Sequence, residues 1–295
     1  VTWLHVTSVL YGNDEAATAR LVSSTAHAVA RARAAGLVDK ATYAVGDSSG
    51  APAVTPARLD ALVSRAAADD VELAYDFYDA NLGSAEGNNR LMRGVDADFF
   101  LMVNPDVYAA PDLVTALLRR FDADDVGIAE ARQVPFDHPK AYDPETGVTG
   151  WASMACAMIR GETFRAVGEL DSATFFLYCD DVDYSWRTRL AGWTCRRAPD
   201  AVAFHDKRLS ATGAVAASPA EEYYAAEAAL FLTHKYSRPD LTKALLAQFG
   251  EGTESHRKAR AEFLGRRAAG TLPVPLDPDH RVAEFVQGNY TRHRF

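Results

Sequence analysis

Three cysteines in 295 residues, at positions 156, 179 and 195, are too few for a disulfide framework, and none belongs to a CxxC pair. Free thiols in a reducing cytosol are the reading they support. Long apolar runs are also missing. The densest, Phe99–Val103, has the length of a strand and falls far short of the roughly 18–20 residues a membrane helix needs. The opening Val-Thr-Trp-Leu-His lacks a basic region followed by an apolar stretch, so no signal peptide is expected. Positive charge is scarce: 31 Lys and Arg stand against 40 Asp and Glu, a formal charge of −9. That balance excludes broad electrostatic binding to nucleic acid. It also sets a condition: a phosphorylated ligand here needs a divalent cation or a few local donors to offset repulsion. Nineteen Gly and 13 Pro exclude collagen-like and low-complexity chains. With 48% hydrophobic and 24% charged residues, the chain has the composition of a folded globular protein.

What is present is an alternation of short apolar runs and helical patterns. Strands are expected at Leu4–Leu10, Thr42–Val45, Val71–Phe77 and Phe99–Val103. Helices are expected at Asp14–Ala35 (closed by Gly36), Pro56–Ala68, Ser84–Val95, and from Pro111, where Leu113, Leu117, Leu118 and Phe121 share a face. Such alternation implies right-handed crossovers and an α/β, doubly wound, mostly parallel sheet flanked by helices. Ligands on such sheets bind at the carboxyl ends of the strands. The second half reads differently: loop over 132–150, a strand at Ala152–Arg160, a helix at Asp181–Ala191 and a strong helix at Pro219–Tyr236. A charged amphipathic stretch, Thr253–Gly270, precedes a Pro-rich tail, giving a helical C-terminal region. The expected division is residues 1–130 and 131–250 as two halves of one domain, and 251–295 as C-terminal amphipathic helix and tail.

Three segments carry chemistry. Asn81-Leu82-Gly83-Ser84-Ala85-Glu86-Gly87-Asn88-Asn89 combines glycines, which admit a ligand close to the backbone, with a helix start that favours an anion. A capped turn explains it equally well. Asn104-Pro105-Asp106 follows the apolar strand and places an oxygen ligand where a nucleotide-bound metal sits, although an Asp in such a turn is more often an N-cap. In Phe175–Arg187, Asp180, Asp181 and Asp183 follow an aromatic run; helix capping accounts for one or two of them, and acid–base work or cation binding for the rest. Pro199–His205 ends in a His that is structural unless it meets Asp106, in which case it is a metal ligand.

Together with Trp151–Arg160 and Leu190-Ala191-Gly192-Trp193, these segments resemble the family-two glycosyltransferases of GT-A fold, and most nearly the bacterial rhamnosyltransferase-like members that build surface polysaccharides. The resemblance covers roughly residues 1–236. It implies a cytosolic, inverting enzyme using Mn²⁺ or Mg²⁺ and a nucleoside-diphosphate sugar, with a glycan or lipid-linked saccharide as acceptor and rhamnose among the candidate sugars. By position it implies Asp106 and His205 as metal ligands and Asp181, with Asp180 beside it, as the catalytic base. Thr7, Tyr11, Asp47, Asn81, Gly83, Asn88, Asn104 and Asp106 fall on the donor side, and Trp151, Asp183 and Trp186 on the acceptor side. Gly46 stands where the family has the Asp of its base-contacting turn, with Asp47 one position on. A nucleotide-sugar-binding module without catalysis and a nucleotidyltransferase are the rival readings. The latter lacks a Gly-rich loop with Arg and Lys after the first strand. The basic stretch Thr253–Gly270 is read either as a membrane-surface contact at the inner face or as a helix packed on its own domain or a second subunit.

Overall fold

The computed structural model describes residues 1–206, 218–286 and 289–291. Its centre is a nine-stranded sheet, ordered β3-β2-β1-β4-β8-β6-β9-β5, with β7 paired to β9. The strands are β1 (Trp3–Leu10), β2 (Lys40–Asp47), β3 (Glu72–Phe77), β4 (Phe99–Val103), β5 (Val107–Ala109), β6 (Val126–Val134), β7 (Val148–Thr149), β8 (Cys156–Arg160) and β9 (Thr194–His205). The first four run parallel, joined by crossover helices. β8 enters antiparallel to β4, β6 is antiparallel to β8, and β9 runs parallel to β6, so β1, β4, β6 and β9 all point the same way.

The crossovers form because each helix pairs an apolar stripe with a defined start. In α1 (Glu15–Ala34), Asp14 caps the N-terminus by accepting the Ala17 N–H at 2.7 Å, and Leu21, Val22, Ala26 and Val29 face the sheet. α2 (Pro56–Ala67) carries Pro at its first turn, and α3 (Gly83–Met92) and α4 (Leu113–Leu118) complete the first half. Leu4, Val6, Val45, Leu101 and Val103 meet α1 and α4 in one core, while Phe100, Met102, Ile128 and Ile159 fill the opposite face.

The second half departs from expectation in places. Residues 132–134 belong to β6 and not to a loop, and the boundary drawn at 130 falls inside that strand. β6 escapes a hydrophobic reading because two of its buried positions are Glu130 and Gln133. The strand expected from Ala152 begins at Cys156; residues 152–155 are buried but irregular, held by side-chain bonds described below. α5 (Gly161–Val167) and α8 (Pro239–Gly250) were not anticipated. α6 (Asp180–Leu190) and α7 (Pro219–Lys235) match expectation, the latter opened by a Ser218–Glu221 capping box. α9 (Glu254–Ala269) packs on the protein through Ser255, Ala259 and Phe263. Together with α6, α7 and α8 it encloses a second core around Trp186, Phe231, Tyr236 and Phe249. Among the described residues no helix is long and apolar enough to cross a membrane.

Candidate active site

The carboxyl ends of β1, β2, β4 and β9 lie along one edge of the sheet, and Tyr11, Asn104, Asp106 and His205 stand at or just past those ends. β5 pairs antiparallel with β9 so that Val107 lies opposite His205. That register places Asp106, one residue before β5, beside the last residue of β9. His205 Nε2 and Asp106 Oδ2 are 3.0 Å apart, and the Asp206 N–H donates to the Asp106 carbonyl at 2.8 Å. The Asp106 side chain is 41% exposed and that of His205 only 10%, so the pair opens to solvent on the carboxylate side. On its other edge His205 Nδ1 meets Gln133 Oε1 at 2.7 Å. Among the described residues no group of three or more His, Cys, Asp or Glu is arranged for a metal. Asp106 and His205 bring together one carboxylate oxygen and one imidazole nitrogen, two donors of the kinds that divalent ions accept.

The second acidic group starts α6. Tyr178 and Cys179 adopt left-handed backbone, φ 67° and 58°, and turn the chain sharply into Asp180. The segment before this turn packs on the start of α3. Gly83 (φ 70°) lies so close to the Phe176 carbonyl that a Cβ has no room, and the Ser84 N–H donates to that carbonyl at 3.2 Å. Asp180 is buried. Burial and the neighbouring Asp181 raise its pKa to about 7, because bonds from the Ser84 hydroxyl and the adjacent backbone N–H groups offset only part of the desolvation. Asp181 is half-buried, and its Oδ1 accepts the Val182 N–H at 2.8 Å.

The raised value has a consequence for stability. A carboxyl that holds its proton more tightly folded than unfolded costs stability progressively as pH rises from the usual Asp range through about 7. Asp180→Asn removes that cost. The variant should melt above wild type near about pH 8, and the difference should vanish by about pH 4 in paired thermal melts. A difference independent of pH would show that Asp180 does not titrate as described.

The other predicted residues divide between edge and interior. Tyr11 is 63% exposed at the end of β1, and Asn81, also exposed, accepts the Gly83 N–H at 3.2 Å. Asn104 is half-buried, its N–H bonded to the Ala155 carbonyl at 2.8 Å. Thr7 and Asn88 are buried and bonded to each other at 2.8 Å, with Asn88 Nδ2 donating to the Ser84 carbonyl. They support the α3 start from beneath. Asp47 is also wholly buried. Burial alone would push its carboxyl up, but bonds from Ala53 N–H, Ser49 and the Tyr75 hydroxyl outweigh it and hold the group below the ordinary range. It shapes the 47–53 turn. At Gly46 the Tyr78 hydroxyl lies in the space a Cβ would need.

The three acceptor-side residues are corrected. Trp186 is fully buried between Tyr236 and Phe285, at centroid distances of 4.6 and 5.2 Å. Asp183 is equally buried, bonded to Arg187, Lys235 and Tyr236. Trp151 is 4% exposed, with Lys140 Nζ 3.7 Å from its ring centroid. No acceptor reaches Trp186 or Asp183, and Trp151 offers almost no surface; burial of apolar area in the second core is what these rings supply.

Residues missed from sequence complete the edge. Ser84 sat inside a motif already singled out, but its partner Asp180 lies far along the chain. Glu130, buried, takes Lys140 Nζ and the Ser153 N–H at 2.6 Å each, and Lys140 also donates to the Trp151 carbonyl at 2.7 Å. With Ala152 N–H on Ser185 Oγ at 3.0 Å, the 151–155 segment ties β6, β4 and α6 together.

No family model matches the chain. Over 68 residues it is 35% identical to N-acetylglucosaminyl-diphospho-decaprenol L-rhamnosyltransferase of Mycobacterium tuberculosis, in strains CDC 1551 / Oshkosh and H37Rv; the match spans 23% of this chain and 22% of that protein. Among solved structures, similarity extends over 94% of the chain to a mannosyltransferase from Pyrobaculum calidifontis in complex with GDP-Man and Mn²⁺, at 13% identity and a TM-score of 0.54, covering 77% of that chain. S. aureus TarS matches over 90% of this chain and 43% of its own, at 14% identity and a TM-score of 0.52. GalNAc-T7 with UDP, GalNAc and Mn²⁺ matches over 92% and 59%, at 11% and 0.61. Strand order, crossover helices and the edge carrying Asp106 and His205 thus belong to a chain with the GT-A fold of these glycosyltransferases.

Proposed function

We propose that the protein is an inverting glycosyltransferase, moving a sugar from a nucleoside diphosphate to a saccharide hydroxyl. The observation that carries this reading is the meeting of Asp106 with His205 where β9 ends against β5, with Asp180 separately bonded to Ser84 at the start of α3, the helix that follows β3. Asp106 and His205 would hold a divalent ion, which when bound neutralises the diphosphate as it leaves. Asp181, the more exposed of its pair, takes the proton of the acceptor hydroxyl. The hydroxyl attacks the anomeric carbon from the face opposite the leaving diphosphate, so one displacement inverts the configuration. Asp180 and Ser84 hold the start of α6 against the start of α3 and fix where Asp181 stands. The name of the M. tuberculosis relative supports L-rhamnose as donor sugar and a polyprenyl-diphosphate-linked acceptor.

A screen of dTDP-, UDP- and GDP-sugars with Mn²⁺ or Mg²⁺, scored by release of the nucleoside diphosphate, tests this. Release of pyrophosphate from a nucleoside triphosphate would instead favour a nucleotidyltransferase, and binding without turnover a donor-binding module. Asp106→Ala, His205→Ala and chelation should each weaken nucleoside-diphosphate binding at least about tenfold, 1.4 kcal/mol, by calorimetry. Affinity indifferent to chelator would remove the ion from the mechanism.

A further inference from the structure

His205 is held on both ring nitrogens, and the two contacts differ in kind. Nδ1 faces Gln133 Oε1 at 2.7 Å, an amide oxygen that only accepts, so Nδ1 carries a hydrogen. At its other end Gln133 Nε2 donates to Ser153 Oγ at 3.0 Å, an oxygen that also accepts the Ala155 N–H at 3.4 Å. Gln133 and Ser153 are 2% and 3% exposed, which leaves water little access to the arrangement. Ser153 is fixed in turn through its N–H on Glu130. With Nδ1 as donor, the neutral ring has its lone pair on Nε2, directed at Asp106 Oδ2 3.0 Å away. A lone pair and a carboxylate oxygen at that separation repel unless a positive charge joins them.

We infer that Gln133 is a positioning residue for His205: by accepting the Nδ1 hydrogen it presents Nε2 to the ion shared with Asp106. The inference rests on the metal reading above. A partner behind a ligating imidazole sets its tautomer and orientation, and losing such a partner typically costs roughly 10–100-fold in metal affinity.

The test compares Gln133→Leu, which removes the acceptor, with Gln133→Glu, which restores one. Mn²⁺ binding is followed by electron paramagnetic resonance, with Mn²⁺ alone and with UDP or dTDP added. Ring nitrogens of His205 are observed by ¹⁵N NMR in the Mg²⁺-loaded protein. The expected result is a roughly 10–100-fold loss of Mn²⁺ affinity in Q133L, recovery in Q133E, and a wild-type spectrum with hydrogen on Nδ1. Unchanged affinity in Q133L, or Q133E no better than Q133L, overturns the role. Should Q133L fail to fold, the wild-type spectrum decides, since hydrogen on Nε2 with Nδ1 bare contradicts the inference. His205→Ala separates the levels: if it leaves Mn²⁺ affinity intact, the metal reading itself fails, whereas a loss there without one in Q133L removes only Gln133.

Discussion

Asp181→Asn should lower turnover by about 10²–10⁴-fold while leaving donor affinity nearly unchanged. The substitution keeps shape and volume, and the Asn carbonyl still accepts the Val182 N–H that the carboxylate accepts at 2.8 Å. What disappears is the capacity to take a proton. The ion site proposed for Asp106 and His205 belongs to the turn before β5 and the end of β9 and not to α6, so binding and chemistry separate. Melting temperature should stay close to wild type, because Asp181 is half-buried and the amide keeps its size and its bond to the Val182 N–H. Asp180→Asn is the control. Its carboxyl is buried and engaged by Ser84, so an incoming hydroxyl has less access to it and the loss should be the smaller. If the large loss follows Asp180 instead, the roles exchange. Near-normal turnover in both variants would reduce the acidic pair to a helix start and leave only the fold.

The first half of the fold was legible because its signals are local. An apolar run of five to eight residues, a turn and a helix repeat along the chain, and each element forms where its own residues ask for it. The meeting of Asp106 and His205 was also open to inference, since both follow strands that must end on one edge of such a sheet. The second half hides its structure because it buries polar side chains. Glu130 and Gln133 interrupt the apolar pattern of β6, and their partners Lys140, Ser153 and His205 come from separate segments. No periodicity announces such a network. The same blindness worked in reverse for Trp186 and Asp183: aromatic and acidic residues beside the Asp180–Asp181 pair suggest contact with a sugar, whereas packing on α7 draws both inward.

Lys235→Ala should destabilise the protein by about 1–3 kcal/mol, the cost of taking one charged hydrogen-bond partner from a buried carboxylate that keeps Arg187. The Lys235 ammonium stands 2.6 Å from Asp183 Oδ1 and 2.6 Å from Asp171 Oδ2, while Asp183 also takes Arg187 Nε at 2.8 Å and the Tyr236 hydroxyl at 3.0 Å. Asp183 is inaccessible to solvent, so water does not replace the missing ammonium. A loss of that size is a large fraction of the 5–15 kcal/mol roughly typical of a folded domain. It should appear as a lower urea midpoint with an unchanged slope. Cutting the chain after residue 218 removes Lys235 together with Leu230, Phe231 and Tyr236, exposes Trp186 and Phe175, and should yield insoluble protein. The point variant distinguishes charge from apolar burial. If the penalty is a carboxylate short of one partner, adding Asp183→Asn to Lys235→Met should recover part of what Lys235→Met alone loses, since the amide brings no charge to bury. A cost for Lys235→Ala below about 0.5 kcal/mol would mean that the clamp contributes nothing. The consequence then reaches the site, because Asp183 lies in the first turn of the helix that carries Asp180 and Asp181. Anchored through Lys235, that turn stays where the Ser84 contact needs it; released, it should lose turnover before it loses its helix.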